Sequence, residues 1–323
     1  MSKAIRLTLV ASLALAWMSA SALAQSGVVN STKNPNQIAI LRWYQANQAA
    51  SFAAGVSPSG TPGTLAFDGA NIWVTDFNNF TVSKLRPSDG AVLGVFTVGP
   101  GASGVAFDGV NIWVANNGDN TLSKLRASDG TVLARFSLHG SPVAVLFDGT
   151  NIWISDLDDN LLKFRPSDGM QLGGNAIGER AQALAFDGVN IWETEDTGIL
   201  RKFRASDAAL LGTFRFGSSA NGVAFDGANV WVTVRSDNNI LKLRASDGTL
   251  LGTFAVGHGP EGVAFDGTNI WVANRGDNTV SKLRATDGAF LGTFAVGNGP
   301  EGLLFDGTNI WVANTGSGTL SKL

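Results

Sequence analysis

The sequence predicts an all-β fold made of repeated four-stranded antiparallel sheets, and three observations carry that reading. The tripeptide Phe-Asp-Gly starts at Phe67, Phe107, Phe147, Phe186, Phe225, Phe265 and Phe305, at spacings of 40, 40, 39, 39, 40 and 40. Each copy is followed by Asn-Ile/Val-Trp, so seven of the nine tryptophans occupy one equivalent position. Within the best-formed unit, Glu261 to Pro300, four β-rich runs are divided by DGT, RGD, TDG and GNGP, all turn chemistry. Four short strands per ~40 residues is the repeat of a propeller blade, whose small sheet must stack on its neighbours around an axis to bury both faces. Seven copies therefore predict a seven-bladed β-propeller.

Each element follows from its residues. The first strand of the unit is Gly262 to Phe265, the second Asn269 to Asn274, the third Thr279 to Arg284 and the fourth Ala289 to Val296. Gly or Asp-Gly punctuation recurs too often for a helix, which excludes helical arrays. The Gly-His and Trp-Asp marks of WD40 repeats are missing. After Phe305 the chain supplies only three strands, ending at Thr319 to Leu323. Ala49 to Gly55 follows Leu41-Arg42 with the register by which the fourth strand follows Leu283-Arg284, so an N-terminal strand is expected to complete the last blade and remove its exposed edge. Gln37 to Arg42 also resembles a third strand, leaving two claimants for one slot.

Residues 1–24 read as a secretory signal: Lys3 and Arg6 are basic, Leu7 to Trp17 apolar, and Ala22-Leu23-Ala24 a cleavage site. The expected organisation is a signal peptide 1–24 cut after Ala24, an N-terminal linker 25–37 and a propeller 38–323, placed in the periplasm or outside the cell. No segment approaches the ~20 apolar residues of a membrane span. The terminal Ser321-Lys322-Leu323 is a piece of the repeat, seen again at Ser83, Ser123 and Ser281, rather than an address signal.

Composition narrows the function classes. The chain has 323 residues, 40 glycines, no cysteine and 44% apolar content, which excludes disorder, a disulfide scaffold and a thiolate metal site. The net charge is −3, and loss of Lys3 and Arg6 with the leader takes Lys plus Arg from 23 to 21 against 26 acids, giving −5. A nucleic-acid partner is therefore not expected; a protein, small-molecule or glycan ligand is. The repeated aspartates read as turn residues, the tryptophans as blade core, and the arginines after strand three (Arg86, Arg126, Arg165, Arg204, Arg244, Arg284) as solvated ion-pair partners.

Asn269-Ile-Trp-Val-Ala-Asn274, Gly276-Asp277-Asn278-Thr279-Val280 and Val296-Gly297-Asn298-Gly299-Pro300 resemble the YVTN family of secreted β-propellers, over roughly 38–323. Streptogramin lyases and NHL-repeat proteins are similar propellers. The YVTN resemblance implies a binding or scaffold protein and no catalytic residues.

In such a blade the turns between strands two and three share one face with the blade-to-blade loops. These turns vary among copies while Asp-Gly-x-Asn and Ser-Asp-Gly hardly do, so the variable face is the binding candidate. Its candidates are Asp76, Asn116, His139, Asp156, Asp158, Asp159, Glu195, Asp196, Asn274 and Asn314. Asp156, Asp158, Asp159, Glu193, Glu195 and Asp196 are expected to gather as an acidic patch on neighbouring loops. No cofactor is expected; Ca²⁺ or Mg²⁺ is what such oxygen ligands would admit. Two alternatives stand beside a binding module. One is a streptogramin-lyase-like metal-dependent lyase or hydrolase, with His258, Glu261 and Glu301 as its catalytic set. The other is a cell-surface structural protein.

Overall fold

The computed structural model describes residues 54–55, 60–158, 160–176, 180–217 and 219–323. Seven four-stranded antiparallel sheets form a seven-bladed propeller. Blades one to six span 62–97, 102–137, 142–176, 181–215, 220–255 and 260–295. Blade seven contains Pro300–Phe305, Ile310–Asn314 and Thr319–Lys322, and Ala54–Gly55 adds its outermost strand, with Ala54 opposite Leu320 and Gly55 opposite Thr319. The third-strand slot thus belongs to Thr319–Lys322. The signal segment, the linker, Gln37 to Arg42 and Ala49 to Ala53 lie outside the described residues.

The strand-two tryptophans hold the sheets together. Trp73 packs against Ile112, Val114 and Leu125 of the next blade, and six equivalent clusters complete the ring, the last joining Trp311 and Leu320 to Ile72, Val74 and Leu85. Strand two is buried along its length, whereas the outer strand four alternates between half-buried and exposed positions. That burial leaves each indole N–H needing an acceptor inside the sheet. The Phe-Asp-Gly carboxylate supplies it: Trp73 Nε1 donates to Asp68 Oδ2 at 2.8 Å, while Asp68 Oδ1 accepts the backbone N–H groups of Ala70 and Asn71. The same bond recurs at Trp113, Trp153, Trp192, Trp231, Trp271 and Trp311, at 2.7–2.8 Å. The following glycines take φ from +92° to +101°, a conformation that side-chain-bearing residues rarely adopt.

A lysine links each blade to the next. Lys84 Nζ donates to the carbonyls of Ala127 (2.7 Å) and Ser128 (3.1 Å) in blade two and stands 5.3 Å from the Trp73 ring centroid. Lys124, Lys163, Lys202 and Lys242 repeat the arrangement. The arginines after strand three pair with Asp89, Asp129, Asp168, Asp207, Asp247 and Asp287, each pair about half exposed.

Candidate functional site

The first strands of all seven blades line the ring's centre, where they enclose a cavity of about 560 Å³. Thr61, Phe77, Asn78 and Thr315 also line it, so it opens on the face carrying the strand two-to-three turns and the blade-to-blade loops. The third residue of strand one lets the strands crowd together at the centre. A Cβ on Gly262 would stand 2.2 Å from the backbone oxygen of Glu301, and one on Gly222 would stand 2.4 Å from that of Glu261. Below the mouth, Leu65, Val105, Val145, Leu184, Val223, Val263 and Leu303 form an aliphatic wall.

The second residue of strand one differs in almost every blade: Gly63, Ser103, Val143, Gln182, Asn221, Glu261 and Glu301. Blades one to three thus present small or apolar groups, and blades four to seven present amides and carboxylates. Two arginines, Arg235 and Arg275, reach from the turns of blades five and six onto the acids of the next blade. Arg235 Nε lies 3.3 Å from Glu261 Oε1; Arg275 pairs with Glu301 and lies 3.9 Å from Glu261. Asn221 Nδ2 donates to Glu261 Oε2. Burial raises the Glu261 pKa above the usual carboxylate value, the Arg235 charge and the Asn221 hydrogen bond opposing it, with Glu301 adding like-charge repulsion.

Among the residues singled out from the sequence, only Glu261 and Glu301 line this cavity. Asp76, Asn116, Asp156, Glu195, Asn274 and Asn314 all end strand two and are buried, because there they tie the hairpin to its surroundings. Asn116 accepts from Gly99 N at 3.0 Å and donates to Thr121 and Ser123, and Asn274 does the same with Gly257, Thr279 and Ser281. Asp76 accepts from Thr61 N and Asn79, and Asp156 from Asp158 N and Asn160, with burial raising the Asp156 pKa.

The expected acidic patch takes another form. Glu193 and Glu195 lie inside strand two, fully buried, and Glu195 is ion-paired to Arg201 on strand three. Asp158 accepts from Ser141 N at 2.8 Å and Asp196 from the Ser219 hydroxyl at 3.0 Å; Asp159 lies outside the described residues. Among the described residues no three His, Asp or Glu side chains come together as ligands for a cation.

The histidine-carboxylate set is not assembled either. Asp277 accepts from the His258 backbone N–H (2.7 Å) and lies 2.8 Å from its Nδ1, with the imidazole 75% exposed. His139 is an exposed loop residue. Gln182, Asn221, Arg235, Arg275 and Phe77 were not singled out by the sequence reading. The signal was available for two of them, Gln182 and Asn221: superposing the seven first strands shows that their second position varies while Phe-Asp-Gly four residues on does not.

These features define the class as a seven-bladed β-propeller with a polar, asymmetric central mouth. No family model matches the chain, and no curated protein matches it in sequence. Its fold is similar to that of a streptogramin B lyase, with a TM-score of 0.73 and 17% identity over 84% of this chain and 96% of that one. It is also similar to a hydrazine synthase of Kuenenia stuttgartiensis, with a TM-score of 0.72 and 13% identity over 87% and 98%. At such identities the likeness is one of fold.

Proposed function

We propose that this chain is a secreted or periplasmic binding or scaffold module whose ligand enters the central mouth on the variable face. The observation that supports it is the seven-fold comparison inside the molecule. Turns, tryptophans and inter-blade lysines recur with little change, while the strand-one position that rims the cavity changes in nearly every blade. Fold maintenance requires the repeated residues; it does not require a different side chain at each mouth position. The lyase activity of the structural neighbour is not extended to this chain, because His258 is paired with Asp277, is 75% exposed and is not among the residues lining the cavity with Glu261 and Glu301.

A ligand-observed NMR fragment screen of the full chain tests the reading. Hits should be displaced or lost in a Glu301→Gln, Gln182→Ala variant whose melting temperature is unchanged. Hits that survive that double change would place binding elsewhere.

A further inference from the structure

The chemistry of the mouth narrows the ligand class, an inference that rests on the mouth being the binding site. Its formal charges are already matched: Arg235 faces Glu261, and Arg275 joins Glu301 while also facing Glu261. An anionic ligand would draw an arginine away from its carboxylate, and a cationic one would draw a carboxylate away from its arginine. Either leaves a partly desolvated charge short of its partner. A neutral ligand avoids that cost. It can use the lone pairs and N–H groups that the ion pairs leave over, since a carboxylate has about four acceptor sites and a guanidinium five donors. Acceptors and donors consequently alternate along one short arc. Vicinal hydroxyls, each a donor and an acceptor at once, match that alternation.

Exposure divides the roles. Glu301 lines the cavity at 29% exposure and Glu261 at 14%, so Glu301 is the more accessible acid and Glu261 a positioning residue, while Arg275 and Arg235, 43% and 48% exposed, reach these acids from the turns as ion-pair partners.

An aromatic side chain completes the pattern. Phe77, 44% exposed, lines the same cavity from the blade-one turn, where the equivalent residues are Asn117, Leu157, Asp196, Arg235, Arg275 and Thr315. Phe80 of the same turn is 43% exposed at φ +57°, where blades two, five and six carry Asn120, Asn238 and Asn278. A bulky residue is uncommon in that left-handed conformation. Blade one thus keeps an exposed aromatic pair in a turn whose backbone is better served by Asn. A flat apolar ring in the same cavity as these donors and acceptors suits a ligand with one C–H face and a hydroxylated edge.

We propose that the mouth binds a neutral carbohydrate, a pyranose ring stacking on Phe77 of blade one with its hydroxyls on Glu301 of the adjacent blade seven and on Arg275, the ion-pair partner of Glu301. The cavity of about 560 Å³ lies within the range of roughly 300–1,000 Å³ usual for small-ligand sites.

Calorimetric titration of the full chain with maltose, cellobiose and N,N′-diacetylchitobiose tests this, with digalacturonate and spermidine as charged probes. At least one neutral disaccharide should bind with a dissociation constant below about 10 mM. Phe77→Ala should weaken it about tenfold, Glu301→Gln should weaken it too, and Phe290→Ala on the outer strand should leave it unchanged, all with unaltered melting. Failure of all three sugars to bind, or binding indifferent to Phe77→Ala, overturns the proposal. Charged probes that bind in place of sugars, and are lost in Glu301→Gln, overturn the carbohydrate assignment while leaving the mouth as the binding site. No mouth-dependent binding of any probe or fragment removes both.

Discussion

Lys322 Nζ donates to the carbonyl oxygen of Pro87 at 2.7 Å, across 235 positions of sequence, and stands 5.5 Å from the Trp311 ring centroid. This bond repeats between blade seven and blade one the link that joins the earlier blades, and so helps to close the ring. Hydrogen bonds from charged donors contribute roughly 1.5–3 kcal/mol each. Lys202→Met, which removes the equivalent link inside the ring, should lower unfolding free energy by about that amount. Lys322→Met should cost a similar amount and also broaden the urea transition, because it weakens the closure. Unchanged midpoints for both variants would show that the lysines are incidental.

Blade four offers a second test, since it alone buries Glu193 and Glu195 against a mostly covered Arg201 where blade two has Val114, Asn116 and Ser123. Truncating one partner of a buried ion pair costs about 3–5 kcal/mol, whereas replacing the whole set by well-packed neutral residues is often neutral or stabilising by about 1–4 kcal/mol. Arg201→Leu should therefore melt far below the parent. The triple variant Glu193→Val, Glu195→Asn, Arg201→Ser should melt at or above it. A triple variant less stable than Arg201→Leu would contradict this.

The crowded hub predicts a large effect from one methyl group. Gly262→Ala places its Cβ against the Glu301 backbone oxygen, which cannot move without shifting blade seven. Overpacking of this kind costs about 1–3 kcal/mol, and the displaced Glu301 should also lose its ion pair with Arg275. Calorimetric melting and NMR shifts of Arg275 would report the two effects separately.

Acid titration should reveal two opposite signs. Asp129 and Asp247 are held down to about 2 by the backbone N–H and hydroxyl of Thr131 and Thr249, with Arg126 and Arg244 assisting. A carboxylate lowered by folding stabilises the fold above its unfolded value of 3.8 and loses that contribution as pH falls to about 2. Burial raises Asp156 and Glu261, so their contribution is present when they are protonated and is lost as pH rises through the raised value. Carboxyl NMR should find the Asp129 and Asp247 midpoints near 2. The melting temperature of Glu261→Gln should gain on the parent as pH rises from the acid side.

The repeat made much of this molecule legible. Phe-Asp-Gly-x-Asn-Ile-Trp specified a turn and a buried strand together, because one carboxylate serves both the turn N–H groups and the indole N–H five residues on. The slot of the closing strand was visible too, but not its register: the repeat puts Phe52 opposite Leu320, whereas Ala54 takes that place. The inter-blade lysines escaped notice because their acceptors lie 42–44 positions away in the next blade, and nothing near Lys84 in sequence hints at them. The strand-two ends Asp76, Asn116 and Asn274 looked like a variable polar face. Instead they are buried, since a residue closing a hairpin beside a neighbouring loop is the nearest partner for that loop's backbone.

By itself the sequence determined the number of blades, the order of strands in each and the identity of the core, all of which follow from local periodicity and turn chemistry. Only the tertiary structure decided which polar residues meet. Arg235 with Glu261 and Arg275 with Glu301 are pairs made between blades, and Phe77 joins the same cavity from blade one. The reason is geometric: closing a ring brings one residue from each repeat to a common centre, an arrangement that no window of the chain contains.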